Sequence, residues 1–285
     1  MRNFILCIFV TFIFVHCSLA RAQENVPTAQ EHSVAEESKT IRKHRLKKLI
    51  EHMSIDSDTL HRQCRYESDI TATPPHKTVV LTFDDGPDPE QTKYILSVLE
   101  KYNVPGSFFM IGEKAQAHPD LVSLVQASTH AMIGVHSWSH PNFHDISVAE
   151  QTTEVEKSVA LFSKATPQKF FRYPYGNSTC DSNQLVKSLD YKIVGWHVDS
   201  CDWAFDHKGV VDLKEALSCG VLPQNRENFL EHVLSSVRAR DGGIILMHEI
   251  HPNTIRQLDK IVATLLAEGF TFGRLTDVEF EKMLP

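Results

Sequence analysis

Beyond residue 22, this sequence of 285 residues holds no apolar run long enough to cross a bilayer, which takes about 20 residues of helix. Positive charge is also in short supply. Twenty-nine lysines and arginines stand against 36 aspartates and glutamates, a formal net charge of −7. Such a balance argues against nucleic acid as a partner, because phosphate contacts need clustered cations. Cysteine is scarce, with six in the whole chain, and no two have the C-x-x-C spacing of a zinc thiolate site.

What is present begins with a leader-like segment. Arg2 supplies a charged start, residues 4–15 are apolar except for Thr11, and Ala20-Arg21-Ala22 offers the small residues of a cleavage site. Residues 1–22 therefore read as a secretory signal peptide, and a secreted or periplasmic location is expected, with no stable membrane insertion after cleavage. Export changes the reading of the cysteines that remain. Cys64, Cys180, Cys201 and Cys219 are an even set in an oxidising compartment, so disulfides are expected. Residues 23–75 are polar and charged, with one helix-like patch around Ile41, Leu46, Leu49, Ile50 and Met53 beside basic residues 42–48. These residues read as an N-terminal extension, and residues 76–285 as one domain.

After Pro74-Pro75, short β-rich runs alternate with helical patterns. Strands are expected over 78–83, 106–111, 131–135, 169–172, 192–198, 243–247 and 270–273, with helices over 92–102, 148–164, 228–240 and 254–268. Seven βα units in one run predict an α/β fold with a parallel sheet, and they admit closure into a barrel. Ligands of such folds sit beyond the carboxyl ends of the strands. The reactive residues follow that rule: Asp84 and Asp85 end the first strand, His136 the third, Arg172 the fourth, Asp199 and Asp202 the fifth, and His248 the sixth.

Two local patterns suggest chemistry. Thr82-Phe83-Asp84-Asp85-Gly86-Pro87 places adjacent carboxylates where an apolar strand meets a Gly-Pro turn. His136-Ser137-Trp138-Ser139-His140 spaces two imidazoles four apart, as on one side of a helical turn. One carboxylate and two histidines form a facial ligand set that leaves positions open on a divalent metal. An iron oxygenase can use the same set, but pairs its first histidine with an acid two residues on. Trp138 stands in that place, which favours zinc-type hydrolysis.

Those two motifs, with Arg172-Tyr173-Pro174-Tyr175-Gly176, Asp199-Ser200-Cys201-Asp202-Trp203 and Leu246-Met247-His248, occur in the order of five family motifs. Over about residues 77–275 the chain resembles the polysaccharide deacetylases of carbohydrate esterase family 4, the NodB homology domain, peptidoglycan deacetylases among them. The resemblance implies a distorted (β/α)7 TIM-like barrel and one divalent metal, zinc first and cobalt or nickel next, held by Asp85, His136 and His140. It implies Asp84 as general base, oriented by Arg172, and His248 as general acid, paired with Asp202. It places the Tyr175 backbone N–H at the oxyanion, and Trp203 and Leu246 around the acetyl methyl. Spacing alone does not separate Asp84 from Asp85 as ligand. The chemistry asks for the same division of labour, since an amide carbonyl needs polarising and an amine leaves more easily when protonated.

The substrate so implied is a polysaccharide, with peptidoglycan ahead of chitin or another N-acetylglucosamine polymer, and O-acetylated xylan behind. A glycan-binding protein without activity is the reading from a different class, but it would need a lost ligand or acid, and none is lost. Cys201 lies inside a motif and is expected to be bridged, to Cys219 first and Cys180 second. Residues 202–226 are expected to overhang the rim and to help select the polymer. His251 reads as a neighbour of the site. His118, His130, His144, His197, His207 and His232 read as surface or core histidines, and Trp138 and Trp196 as scaffold.

Overall fold

The computed structural model describes residues 70, 72–163 and 166–284. The expected signal peptide, and the extension apart from residues 70 and 72–75, lie outside the described residues.

The sheet is built on β1 (Thr78–Gly86), which is buried along nearly its whole length. Its residues alternate between two cores. Val79, Leu81 and Phe83 point into an outer core shared with the helices, whereas Val80 belongs to an inner cluster with Phe109, Phe170, Val194, Trp196, Ile244, Leu246, Leu275 and Phe280. Burial on both faces explains the continuous apolar run, since a parallel strand covered on both sides has no polar face to present. Parallel pairing joins β1 to β2 (Gly106–Met110) and β7 (Gly242–His248), and β2 to β3 (Ala131–Val135). Outward from β3 lie β4 (Phe170–Phe171) and β5 (Lys192–Ile193), and beyond β7 lies β6 (Val198–Asp199). The order is β5-β4-β3-β2-β1-β7-β6, and β8 (Thr271–Phe272) pairs with Thr78 and Val79 before β2 begins. The expected α/β barrel is therefore present, curled and unclosed.

The helices that cover the sheet are α1 (Gln91–Tyr102), α2 (Gly112–Ala117), α3 (Pro119–Ala127), α4 (Val148–Phe162), α5 (Cys180–Ser188), α6 (Asp202–Lys208), α7 (Leu213–Cys219), α8 (Phe229–Arg240), α9 (Pro252–Ala267) and α10 (Val278–Glu281). Their starts follow local chemistry. Ser147 and Glu150 form a capping box for α4, as Asp212 and Glu215 do for α7, each supplying an acceptor to an otherwise orphaned N–H.

Two expectations are corrected. The single strand over 192–198 divides into β5 and β6, which pair with β4 and β7 and not with each other. Arg172 fills the seam between them, donating from Nε to Val194 O (3.1 Å) and from Nη2 to Gly195 O (3.0 Å). Carbonyls that would have extended a ladder are satisfied instead by a side chain. Second, residues 202–226 do not hang over the rim as a loop. They form α6, α7 and a short turn, and bury Ala204, Phe205, Val211, Ala216 and Val221 in the outer core. Their apolar positions gain more from that burial than a loop in water would.

Close packing shows in the interior at Gly134. A Cβ there would lie 2.5 Å from the Phe109 ring, so β2 and β3 approach as they do only because the side chain is missing.

Candidate active site

Adjacent residues of a regular strand face opposite ways, yet Asp84 and Asp85 both serve the rim. The pairing of β1 with β2 slips between Asp84 and Gly86, leaving Asp85 as the extra residue with φ of 72°. That bulge re-aims the Asp85 side chain. Gly86 is then needed, because a Cβ would stand 1.0 Å from Glu249 Oε1.

His136 leaves the sheet directly after β3, and its Nδ1 lies 2.7 Å from Arg172 O. Donation of Nδ1–H to that carbonyl leaves Nε2 as the lone-pair nitrogen. Nε2 stands 3.5 Å from Asp85 Oδ1 and 3.6 Å from Asp84 Oδ2. His140 Nε2 stands 3.1 Å from Asp85 Oδ1. The histidine pair is not on a helical turn as its spacing suggested. Ser137 and His140 take left-handed angles, φ 61° and 64°, and the intervening residues form a bend.

These three side chains fit a metal ion. Among the described residues, buried Asp85 Oδ1 has no hydrogen bond of proper geometry, although two imidazole nitrogens face it. Two ligands about 2.0–2.1 Å from a tetrahedral ion would sit about 3.3 Å apart, which matches the spacing of Asp85 Oδ1 from both nitrogens. Burial alone would raise the Asp85 pKa, but His136 and His140, with the charge of His248, outweigh it and hold the carboxyl well below its ordinary range.

Asp84 is tied elsewhere. Its Oδ1 accepts from Arg172 Nη1 at 2.8 Å, and the same Nη1 reaches Thr82 Oγ1 at 2.8 Å. Arg172 is fully buried, its guanidinium 4.2 Å from the Phe109 centroid and 5.6 Å from that of Trp196. Burial pulls the arginine pKa down and the Asp84 charge opposes it. Oδ2 of Asp84 faces His136 Nε2, at 3.6 Å.

His248, at the end of β7, is held by Asp202, the first residue of α6. Asp202 Oδ1 lies 2.7 Å from His248 Nδ1, and Oδ2 accepts from His248 N (2.7 Å) and Thr254 Oγ1 (2.6 Å). Burial would lower the His248 pKa, but Asp202 first, then Asp85 and Asp84, raise it to about 10. Burial would correspondingly raise Asp202, and the His248 charge overrides it, so the pair is an ion pair. His251 adjoins it, with ring centroids 5.3 Å apart and Nδ1 3.2 Å from Asp206 Oδ2. Tyr175 sits in a strained turn at φ 58°, mostly exposed, its ring 4.8 Å from that of His140. Leu246 shares the inner face with His248, and Trp203 follows Asp202 on α6, half-buried.

Residues 71–194 match the family model described as polysaccharide deacetylase. The chain is also 30% identical to a chitooligosaccharide deacetylase of Bradyrhizobium sp., over 72% of this chain and 91% of that protein. The chain belongs to the polysaccharide deacetylase family. It is 31% identical to the peptidoglycan-N-acetylglucosamine deacetylase PgdA of Listeria monocytogenes, over 73% of this chain but 40% of that protein. The chain thus spans less than half the length of that longer relative. The solved structure of peptidoglycan deacetylase PdaC from Bacillus subtilis matches with a TM-score of 0.57 and 27% identity, over 74% of this chain and 93% of that one.

In this member of the polysaccharide deacetylase family, sequence reasoning passed over the roles of several residues that support the site. Thr82 shares Arg172 with Asp84, Thr254 braces Asp202, and Glu154 of α4 holds the bend between the histidines. Glu154 and Thr254 lie outside the five motifs, and Thr82, though inside one, is not ionisable, so nothing in the sequence signalled what each holds. Glu249, next to His248, is another such residue. It is fully buried against Gly86 and accepts from Thr92 Oγ1 at 2.8 Å, and burial pushes its pKa up to about 8. Cys201 is bridged to Cys219, Cα atoms 5.7 Å apart, which ties the start of α6 to the end of α7. His232 and His197 are buried core histidines, the former's Nε2 2.9 Å from Asp199 O.

Proposed function

We propose that this chain is a secreted or periplasmic metal-dependent deacetylase that hydrolyses acetamido groups on N-acetylhexosamine residues of peptidoglycan, releasing acetate and a free amine. The observation that carries the reading is the orphaned Asp85 Oδ1 between two imidazole nitrogens. The Arg172-bound Asp84 stands beside it, and the Asp202–His248 pair lies within electrostatic reach. Zinc held by Asp85, His136 and His140, with cobalt or nickel as substitutes, would supply polarisation of the amide carbonyl and acidification of a water.

The chain's own residues divide the remaining work. Asp84 Oδ1 is occupied by Arg172, so Oδ2 takes the proton of the attacking water. His248 Nδ1 is occupied by Asp202, which leaves Nε2 to protonate the departing nitrogen as the C–N bond breaks. The Tyr175 N–H steadies the oxyanion, and Trp203 and Leu246 enclose the acetyl methyl. Residues 1–22 act as the signal peptide, residues 23–75 as an extension, and residues 76–285 carry the activity.

Peptidoglycan is favoured because PgdA and PdaC are named for it. A relative of which this chain covers 91% is named for chitooligosaccharides, which makes chitin-like polymers the second reading. A net charge of −7 provides no long-range pull towards an anionic polymer, so recognition is local. The test is incubation of purified protein with peptidoglycan, chitin oligosaccharides and acetylated xylan, followed by assay of acetate and new amines. Equal amounts of both products from peptidoglycan are expected. Acetate from xylan with no amine from either amino-sugar polymer would make the protein an O-acetyl esterase.

A further inference from the structure

The three proposed ligands are not held with equal security. Asp85 is placed by the bulge of β1, and His136 by its N–H to Met110 O at 3.0 Å and its Nδ1 to Arg172 O at 2.7 Å. Among the described residues, the His140 ring meets Asp85 Oδ1 (3.1 Å) and the rings of His136 and Tyr175, and no backbone carbonyl orients it as Arg172 O orients His136. Its position depends on the bend over residues 137–140, where two non-glycine residues hold left-handed angles that an isolated chain disfavours.

One carboxylate on α4 closes that bend. Glu154 Oε2 accepts Trp138 N–H at 2.9 Å and Ser139 N–H at 2.8 Å, and Oε1 accepts Ser139 Oγ–H at 2.7 Å. From the opposite side, the first turn of α2 donates Gly112 N–H to Ser137 O (3.0 Å) and Glu113 N–H to Trp138 O (2.9 Å). Glu113 Oε1 accepts Trp138 Nε1–H at 3.2 Å, and Lys157 Nζ lies 3.6 Å above the Trp138 ring. Trp138 is thus an anchor gripped by two helices, and Glu154 takes up the two N–H groups that the bend turns away from the sheet.

We propose that Glu154 is a positioning residue that sets the affinity of the Asp85–His136–His140 site for its divalent ion, acting through the bend that presents His140. The inference rests on the ligand reading above. Groups that orient a metal ligand change affinity by about 10- to 100-fold when removed. Losing Glu154 frees His140 to leave Asp85 while Asp85 and His136 keep their own supports. The effect therefore falls on ion binding before it falls on the fold.

The experiment measures the zinc dissociation constant of the full chain by competition with a chromophoric chelator, together with thermal unfolding of the metal-free protein and kcat at saturating zinc. Glu154→Ala should weaken zinc binding about 10- to 100-fold, with most of kcat recovered at saturating zinc. Glu154→Gln keeps one oxygen able to accept both N–H groups and should stay within a few-fold of the parent. Ser139→Ala, which removes only the Oγ contact, should weaken binding by a smaller factor and serves if Glu154→Ala does not fold. Wild-type zinc affinity in Glu154→Ala, or in Ser139→Ala where that variant must serve, would overturn the inference. So would equal losses in Glu154→Ala and Glu154→Gln. A parent protein that binds no zinc would remove the ligand reading itself, and this inference with it.

Discussion

Replacing Asp202 by Asn tests the proton-donating half of the site. Asp202 is completely buried and accepts His248 Nδ1–H, His248 N–H and Thr254 Oγ1–H with its two oxygens. The rise of the His248 pKa from 6.5 to about 10 corresponds to about 5 kcal/mol of preference for the imidazolium, at about 1.4 kcal/mol per pKa unit. Asp202 is the largest contributor to that rise, and the charges of Asp84 and Asp85 add less. A bound divalent ion offsets the latter two, so Asp202 dominates in the loaded enzyme. With an uncharged amide in place of this carboxylate, burial acts unopposed and the imidazole loses its proton near or below neutral pH. The basic limb of kcat/KM against pH should therefore move at least about two units lower, and kcat/KM at pH 8 should fall about 10²- to 10⁴-fold, the usual worth of a general acid. In metal-free protein the folded pKa lies above the unfolded one, so the pair stabilises fully below about pH 6.5 and loses its contribution as pH rises towards 10. Asp202→Asn should flatten that decline in urea unfolding. A variant whose basic limb moves by less than half a unit and whose activity stays within threefold would refute the assignment of His248 as the acid.

Other expectations are simpler. Chelation should abolish activity and zinc or cobalt should restore it. Asp84→Asn should keep stoichiometric zinc while losing activity, and Asp85→Asn should lose zinc; the opposite pattern by metal analysis would exchange their roles. His232 is buried neutral, with burial pushing its pKa down to about 4. The folded protein therefore binds fewer protons, and this stability is intact above about pH 6.5 and lost as pH falls towards 4. His232→Gln should remove about 2 kcal/mol of the decline between pH 7 and 5 in urea unfolding, and an unchanged slope would contradict the burial argument. Opening the Cys201–Cys219 bridge, which spans 18 residues, should cost about 3 kcal/mol in the chain-entropy account. A Cys201→Ser, Cys219→Ser protein with an unchanged urea midpoint would count against it.

Much of this protein could be read from the order of its residues. Alternation of Val79, Leu81 and Phe83 with Val80 and Thr82, repeated in later runs, is local information, because each strand residue meets its core through its own position in the pleat. So is the delivery of Asp84, His136, Arg172 and His248 to strand ends. Other features depended on what lies across space. Asp84 and Asp85 are told apart by a slip against β2 and by Arg172, which reaches only the former. The run 192–198 looks like one strand but divides, because β4 and β7 draw its two ends apart and Arg172 satisfies the carbonyls between. The bend between His136 and His140 is no helical turn, because Glu154, fourteen residues on from the second histidine, supplies acceptors that let backbone N–H groups do without a ladder. Periodicity records which side of an element is apolar. A bulge, a left-handed residue or a side chain standing in for a strand is stabilised by partners distant in sequence, and only the folded chain brings those partners within hydrogen-bond reach.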